Sequence, residues 1–249
     1  MASTPEPTAS DKEPRGFVTT RWSAVLQMRG AASDESRNAL QQLCRAYWYP
    51  LYWFSRRRGL RPHDAEDLIQ SFFAHLLEKE VFARADRERG RFRTFLLSAL
   101  KNFEFNERAR SNTLKRGGRE EFVSIDDFQA ESRYEQEPSS DLSPERLYDQ
   151  KWAASLLAHV LETLRLEYAA SGKPAMFEEL RHLLWGGRGP TSYETIAARL
   201  GTTEGAIKVA VHRFRARFKE QLHHEVAQTV EDPSAIEDEL RHLLASLTT

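Results

Sequence analysis

Wherever apolar residues recur in this chain they return at the three-to-four spacing of one helix face, and no stretch shows the strict alternation of a half-buried strand. That period dictates an all-α fold, because each such segment buries its apolar side only by lying against another helix. Residues 36–58 carry the first stripe, interrupted by Pro50, where a kink or break is expected. Residues 65–77 place Ala65, Leu68, Ile69, Phe72, Phe73, Leu76 and Leu77 on one face, and Asp64 with Asp67 resembles a capping arrangement that would start this helix. Residues 92–110 repeat the pattern with Phe92, Phe95, Leu96, Ala99, Leu100 and Phe103. The aromatic cluster of residues 47–54 and Phe103 are expected to be core.

Periodicity fails between Lys115 and Pro144, where Gly117-Gly118 opens an acid-rich segment with turn residues at its far end. A short extended piece at Val123–Ile125 is conceivable there, but no sheet. Beyond it Trp152, Leu156, Leu157, Val160, Leu161 and Leu164 form a new stripe, residues 177–185 a further helix, and Gly186 to Pro190 a break. The expected organisation is two small helical domains joined by an acidic flexible linker: a lead-in over 1–20, a first domain over 21–116, the linker over 117–145, a second domain over 146–224 and an acidic extension over 225–249. In that extension Ile236, Leu240, Leu243, Leu244 and Leu247 predict an amphipathic helix, which its acidity suits to fold back on a basic part of the chain and regulate access to it.

Charge is distributed unevenly beneath a net value of −1 over 249 residues. Residues 91–119 hold eight cations against two acids; residues 120–149 hold ten acids against two cations, and residues 225–249 six against one. A near-neutral total therefore leaves room for local nucleic-acid binding. The Pro/Ser/Thr/Glu-rich residues 1–14 lack the apolar stretch of a secretory signal, and no run approaches the roughly 20 apolar residues of a membrane span. A cytoplasmic protein without membrane insertion is expected. Cys44 is the only cysteine, so no intrachain disulfide or multi-cysteine metal site can form, and its apolar neighbours suit a small buried side chain.

Residues 193–218 are the most informative. A short helix with Ile196, Ala197 and Leu200 inward, Gly201 for a positive-φ end, a capping Thr202 or Thr203, and a longer helix with Ile207, Val211, Phe214 and Phe218 on one side make a helix-turn-helix pattern. The opposite side offers Gly205, Lys208, Val209, His212 and Arg213, with Arg215 and Arg217 at its flanks, to a major groove.

The run from Tyr193-Glu through Thr203-Glu-Gly-Ala-Ile-Lys-Val-Ala-Val-His-Arg-Phe-Arg resembles region 4 of extracytoplasmic-function sigma factors, bacterial transcription initiation factors. Upstream, His63-Asp-Ala-Glu-Asp-Leu-Ile-Gln70 is similar to a motif of the family's region 2, and Phe92 to Asn102 followed by Asn106-Glu-Arg-Ala-Arg110 resembles its promoter-melting part. The likeness covers roughly residues 36–116 and 146–222, in the family's order. It implies a protein that binds core RNA polymerase and directs promoter recognition, DNA melting and initiation, with no catalytic residues, cofactor or metal. On that likeness Asp64, Glu66, Asp67 and Gln70 would bind the polymerase. Lys101, Asn102, Asn106, Arg108 and Arg110 would engage the minus-ten element. Thr203, Glu204, Lys208, His212 and Arg213 would read the minus-thirty-five element, with Arg215 and Arg217 on phosphates. An anti-sigma factor or other regulator is a further partner class. Val209-Ala210 departs from the family's usual serine-arginine pair, which leaves the base contacts open.

The alternative is a helix-turn-helix regulator that binds operator DNA without polymerase. Enzyme classes fare poorly. The His63-Asp64 doublet has no histidine upstream to complete a metal site, His223-His224-Glu225 lacks zinc-protease spacing, and Gly186 to Gly189 lacks the Lys-Ser/Thr of a phosphate loop.

Overall fold

The structure is a computed structural model that describes residues 34–78, 91–111, 130–136, 141–185, 191–230 and 232–248. All regular structure among them is helical. The lead-in, the extended piece at Val123–Ile125, the Gly186–Pro190 break and the side chain of Cys44 lie outside what is described.

Helix α1 spans Asp34–Arg57, α2 Pro62–Glu78 and α3 Phe92–Ser111. A six-residue α4, Ala130–Glu135, precedes the long α5, Pro144–Ala170, and the short α6, Pro174–Arg181. Then come α7, Tyr193–Arg199, α8, Glu204–Ala227, a 3₁₀ turn at Pro233–Ala235 and α9, Ile236–Leu247. No helix among the described residues is long and apolar enough to cross a membrane.

The apolar stripes meet as their period requires. Leu51, Tyr52, Phe54, Ile69, Phe72, Leu96 and Leu100 are buried where α1, α2 and α3 come together. Leu156, Val160 and Leu164 of α5 are equally covered, and α5 packs against α1, α6, α8 and α9. Tyr148 of α5 meets Phe54 of α1 edge to face at 6.4 Å, a favourable arrangement for two aromatic quadrupoles. One continuous cluster of buried side chains therefore runs from Ala46 to Leu243, through both helical blocks.

Three local features differ from the sequence-based expectations. α1 continues through Pro50, because the buried Tyr47, Trp48, Leu51, Tyr52 and Phe54 on either side fix the helix more strongly than one missing N–H loosens it. α2 starts at Pro62, whose ring suits a first helical position, so Asp64 lies inside the first turn rather than at a cap. The acid-rich segment contains α4, held to α1 by Glu131, which accepts from Arg56 through both oxygens and from the Tyr52 hydroxyl.

The C-terminal helix α9 lies across α5 and α8, with Ile236 and Leu243 buried. From it Glu239, 1% exposed, reaches the head of α3 and pairs with Arg93 and Arg91. Arg93 is 2% exposed, bonds Asp149 of α5 at 2.8 Å and lies over the Trp152 ring at 4.7 Å. Tyr148 donates to the Arg93 carbonyl at 3.2 Å, and His242 of α9 stands 3.3 Å from Asp149. α3, α5 and α9 thus meet on one buried guanidinium.

Two outcomes follow. Glu239→Ala strips a carboxylate from a sealed guanidinium, and with Asp149 still present it should cost about 3 kcal/mol, the lower end for a broken buried pair, seen as a reduced urea midpoint at unchanged slope. Burial also pushes the Tyr148 hydroxyl well above its ordinary pKa of 10.0. The folded state then keeps a proton that the unfolded state releases, so this stability is complete below about pH 10 and declines as pH rises further. Tyrosinate absorbance should accordingly appear for Tyr148 only together with loss of helical circular dichroism.

Candidate nucleic-acid interface

The α7–α8 pair is assembled from local rules. Ser192 caps α7 by accepting from Thr195 N at 3.2 Å, and Ile196 and Ala197 are buried beneath it. Gly201 takes φ +62°, a left-handed conformation that a side chain disfavours. Two residues on, Thr203 caps α8 by accepting from Ala206 N at 3.2 Å. The inner face of α8, Ile207, Val211, Phe214 and Phe218, is buried, and Phe214 contacts the rings of Tyr168 at 5.7 Å and Phe177 at 5.9 Å. Gripped along one side and fixed at its start, α8 presents Glu204, Gly205, Lys208, Val209, His212 and Arg213 to solvent.

The seven residues assigned to this face divide into two groups. Lys208, His212 and Arg213 are exposed; Glu204 pairs with Lys208 at 2.7 Å and holds its ammonium pKa above the ordinary value. Thr203 is exposed, with its hydroxyl oxygen engaged by the cap. Arg215 and Arg217 serve the fold. Arg215 donates to the Leu183 carbonyl at 3.2 and 2.6 Å. Arg217 forms a two-pronged bond to Glu167 of α5 at 3.0 and 2.6 Å and a third to Glu220 at 2.9 Å, which together raise its pKa.

On α2, Asp64, Asp67 and Gln70 are exposed and Glu66 half-buried, opposite the buried Ala65, Ile69, Phe72 and Phe73. Arg61 bonds Asp64 at 2.8 Å and holds its carboxyl below the usual range; His63 lies 3.0 Å from Asp67. On α3, Asn102 and Asn106 are exposed and flank Phe105, which is 74% exposed, whereas Phe103 is buried against Phe72 and His75. Lys101 is drawn to Glu145 of α5 at 2.7 Å, and Arg108 pairs with Glu104 on its own helix at 2.5 Å. The side chain of Arg110 lies outside the described residues.

The α3 and α8 sets are not brought together. Lys101 is tied to α5 at Glu145 and Arg217 at Glu167, two points about 33 Å apart along an α-helix.

Motif spacing left one neighbour of the α8 face unnoticed. An open groove of about 480 Å³ separates α8 from the turn between α5 and α6, with Val209, Ala206 and Arg213 on one side and Tyr168, Lys173 and Met176 on the other. The Gly172-Lys173-Pro174 turn was the available signal, since Gly172 at φ +73° ends α5 and Pro174 starts α6.

Compared with protein-family models, curated proteins and solved structures, the chain matches none. The geometry and the residues themselves therefore carry the functional argument.

Arg213 and Arg215, two residues apart, should respond unequally to truncation. Arg215→Ala loses a charge-assisted pair of bonds to a backbone carbonyl and should lower stability by about 1.5–3 kcal/mol, while Arg213→Ala should stay within about 0.5 kcal/mol of the parent in chemical denaturation.

Proposed function

We propose that the chain is a sigma factor of the extracytoplasmic-function type, which binds core RNA polymerase, recognises promoter DNA and supports melting and initiation. The observation that carries this reading is the outer face of α8: Lys208, His212 and Arg213 exposed on a helix whose start is capped and whose other side is locked into the core. A rigid helix of this kind suits a major groove, where cations contact phosphates and guanine edges. The turn and caps around Gly201 fit a helix-turn-helix. The exposed acidic-polar side of α2 and the open Asn102, Phe105 and Asn106 of α3 fit the other two roles, holding polymerase and receiving unstacked bases. In this function Arg215 and Arg217 position α8 rather than touch phosphate.

A second reading, a helix-turn-helix regulator acting on duplex operators without polymerase, is favoured by the shared core. Elements named for positions minus ten and minus thirty-five are about 25 base pairs, or about 85 Å, apart on B-form DNA. The α3 and α8 attachment points on α5 are about 33 Å apart. A sigma factor bound to both elements has to part α1 from α5 or bend its DNA, whereas a regulator does not.

Transcription with purified core polymerase on a pool of promoter-sized fragments separates the two. A sigma factor should co-elute with core enzyme and start transcripts at discrete positions. Asp64→Lys combined with Asp67→Lys should weaken co-elution about tenfold while leaving duplex binding intact. A chain that binds duplexes yet neither co-elutes nor initiates is the regulator.

A further inference from the structure

We infer that Val209 is a specificity-determining residue: it packs against the C5-methyl group of a thymine, so that the DNA site carries an A·T pair at that step. This rests on α8 being a major-groove helix and narrows that reading to a class of base.

Val209 is 49% exposed in the second turn of α8, between Lys208 on one side and His212 and Arg213 on the next turn. Among the described residues, the other large apolar side chains that stand in solvent, Phe105, Leu166, Trp185 and Leu244, belong to other elements. Its isopropyl group forms the α8 edge of the groove opposite Tyr168 and Met176, and Lys173 and Arg213 set positive charge at that rim. When α8 lies in a major groove, these two cations stand beside Val209 where the flanking phosphates pass, and the valine stands at the depth of the base edges. Gly205 helps admit the duplex, because the space beside its Cα is open and α8 can approach base edges closely there.

In the major groove guanine, adenine and cytosine edges present hydrogen-bond donors and acceptors. A valine would desolvate these without replacing their bonds, at a cost. Thymine alone of the four bases presents a methyl group. Lys208 and Arg213 contribute affinity on neighbouring phosphates or guanines, and Val209 discriminates. The same methyl group occurs on 5-methylcytosine, so the chemistry has two sources; thymine is the one assigned.

The test uses the full chain, with core polymerase if it co-elutes and alone otherwise. Duplexes are selected from a random pool, and each thymine in the selected site is replaced by uracil, which removes the methyl group and keeps the pairing. At one thymine the parent chain should lose about fourfold in affinity, the factor for one buried methyl group, while Val209→Ser should bind thymine and uracil duplexes equally. A 5-methylcytosine·guanine pair placed there should be preferred about fourfold by the parent over unmethylated cytosine. Selection of a defined site with no uracil penalty, or a penalty that persists in Val209→Ser, overturns the assignment of Val209 and leaves the DNA reading standing. A response to 5-methylcytosine without one to thymine overturns the choice of base. Failure to enrich any duplex overturns the DNA reading, and this inference with it.

Discussion

A guanidinium sealed from water has to be neutralised where it stands, and the arrangement of this protein turns on how that is done for Arg93. Its charge is answered by Asp149 from α5 and Glu239 from α9, while its plane rests on Trp152. Each group comes from a different part of the chain, so satisfying one cation brings the start of α3, the first turns of α5 and the C-terminal helix to one place. Buried ion pairs add little net stability over well-packed apolar groups, but leaving one half alone is costly. The junction therefore acts through specificity: arrangements that bury Arg93 without both carboxylates are penalised, and the surrounding apolar faces, which tolerate many packings, are held to one.

The same logic explains the uneven charge distribution along the sequence. The acid-rich stretches supply the carboxylates that meet cations of α1 and α3: Glu131 binds Arg56, Glu145 binds Lys101, Asp149 binds Arg93, and Glu239 binds both Arg91 and Arg93. These four acids, which look like parts of solvated runs in one dimension, are counter-ions in three. Folding cancels much of the positive charge near the core, while Lys208 and Arg213 stay exposed on the outer face of α8.

Helical periodicity made the fold class and most helix positions legible, because a stripe at 3.6-residue spacing has few structural solutions. Gly201, Thr203 and the buried side of α8 could likewise be read, since caps and positive-φ turns are local. What escaped depended on partners distant in sequence. Arg215 and Arg217 look like outward cations on a helical wheel, and only the folded chain reveals the Leu183 carbonyl and Glu167 waiting for them. α4 was hidden for a similar reason. Six residues with only Ala130 and Tyr134 to bury carry no stripe, and their helix is anchored by Glu131 meeting Tyr52 and Arg56 across the fold. The break expected at Pro50 does not form because its cost is local, whereas the aromatic packing that overrides it comes from other helices. The groove beside Val209 was invisible to motif spacing because its two walls belong to different helices.

The distance in sequence between Arg93 and Glu239 has a consequence for biosynthesis. At ordinary translation rates Glu239 leaves the ribosome on the order of ten seconds after Arg93. Throughout that interval the nascent chain carries a cation destined for a dry site and lacks the carboxylate that completes it. Helices α1, α2 and α3 can form and collapse loosely, but the head of α3 has to stay hydrated. Final consolidation of this junction is thereby deferred until α9 arrives.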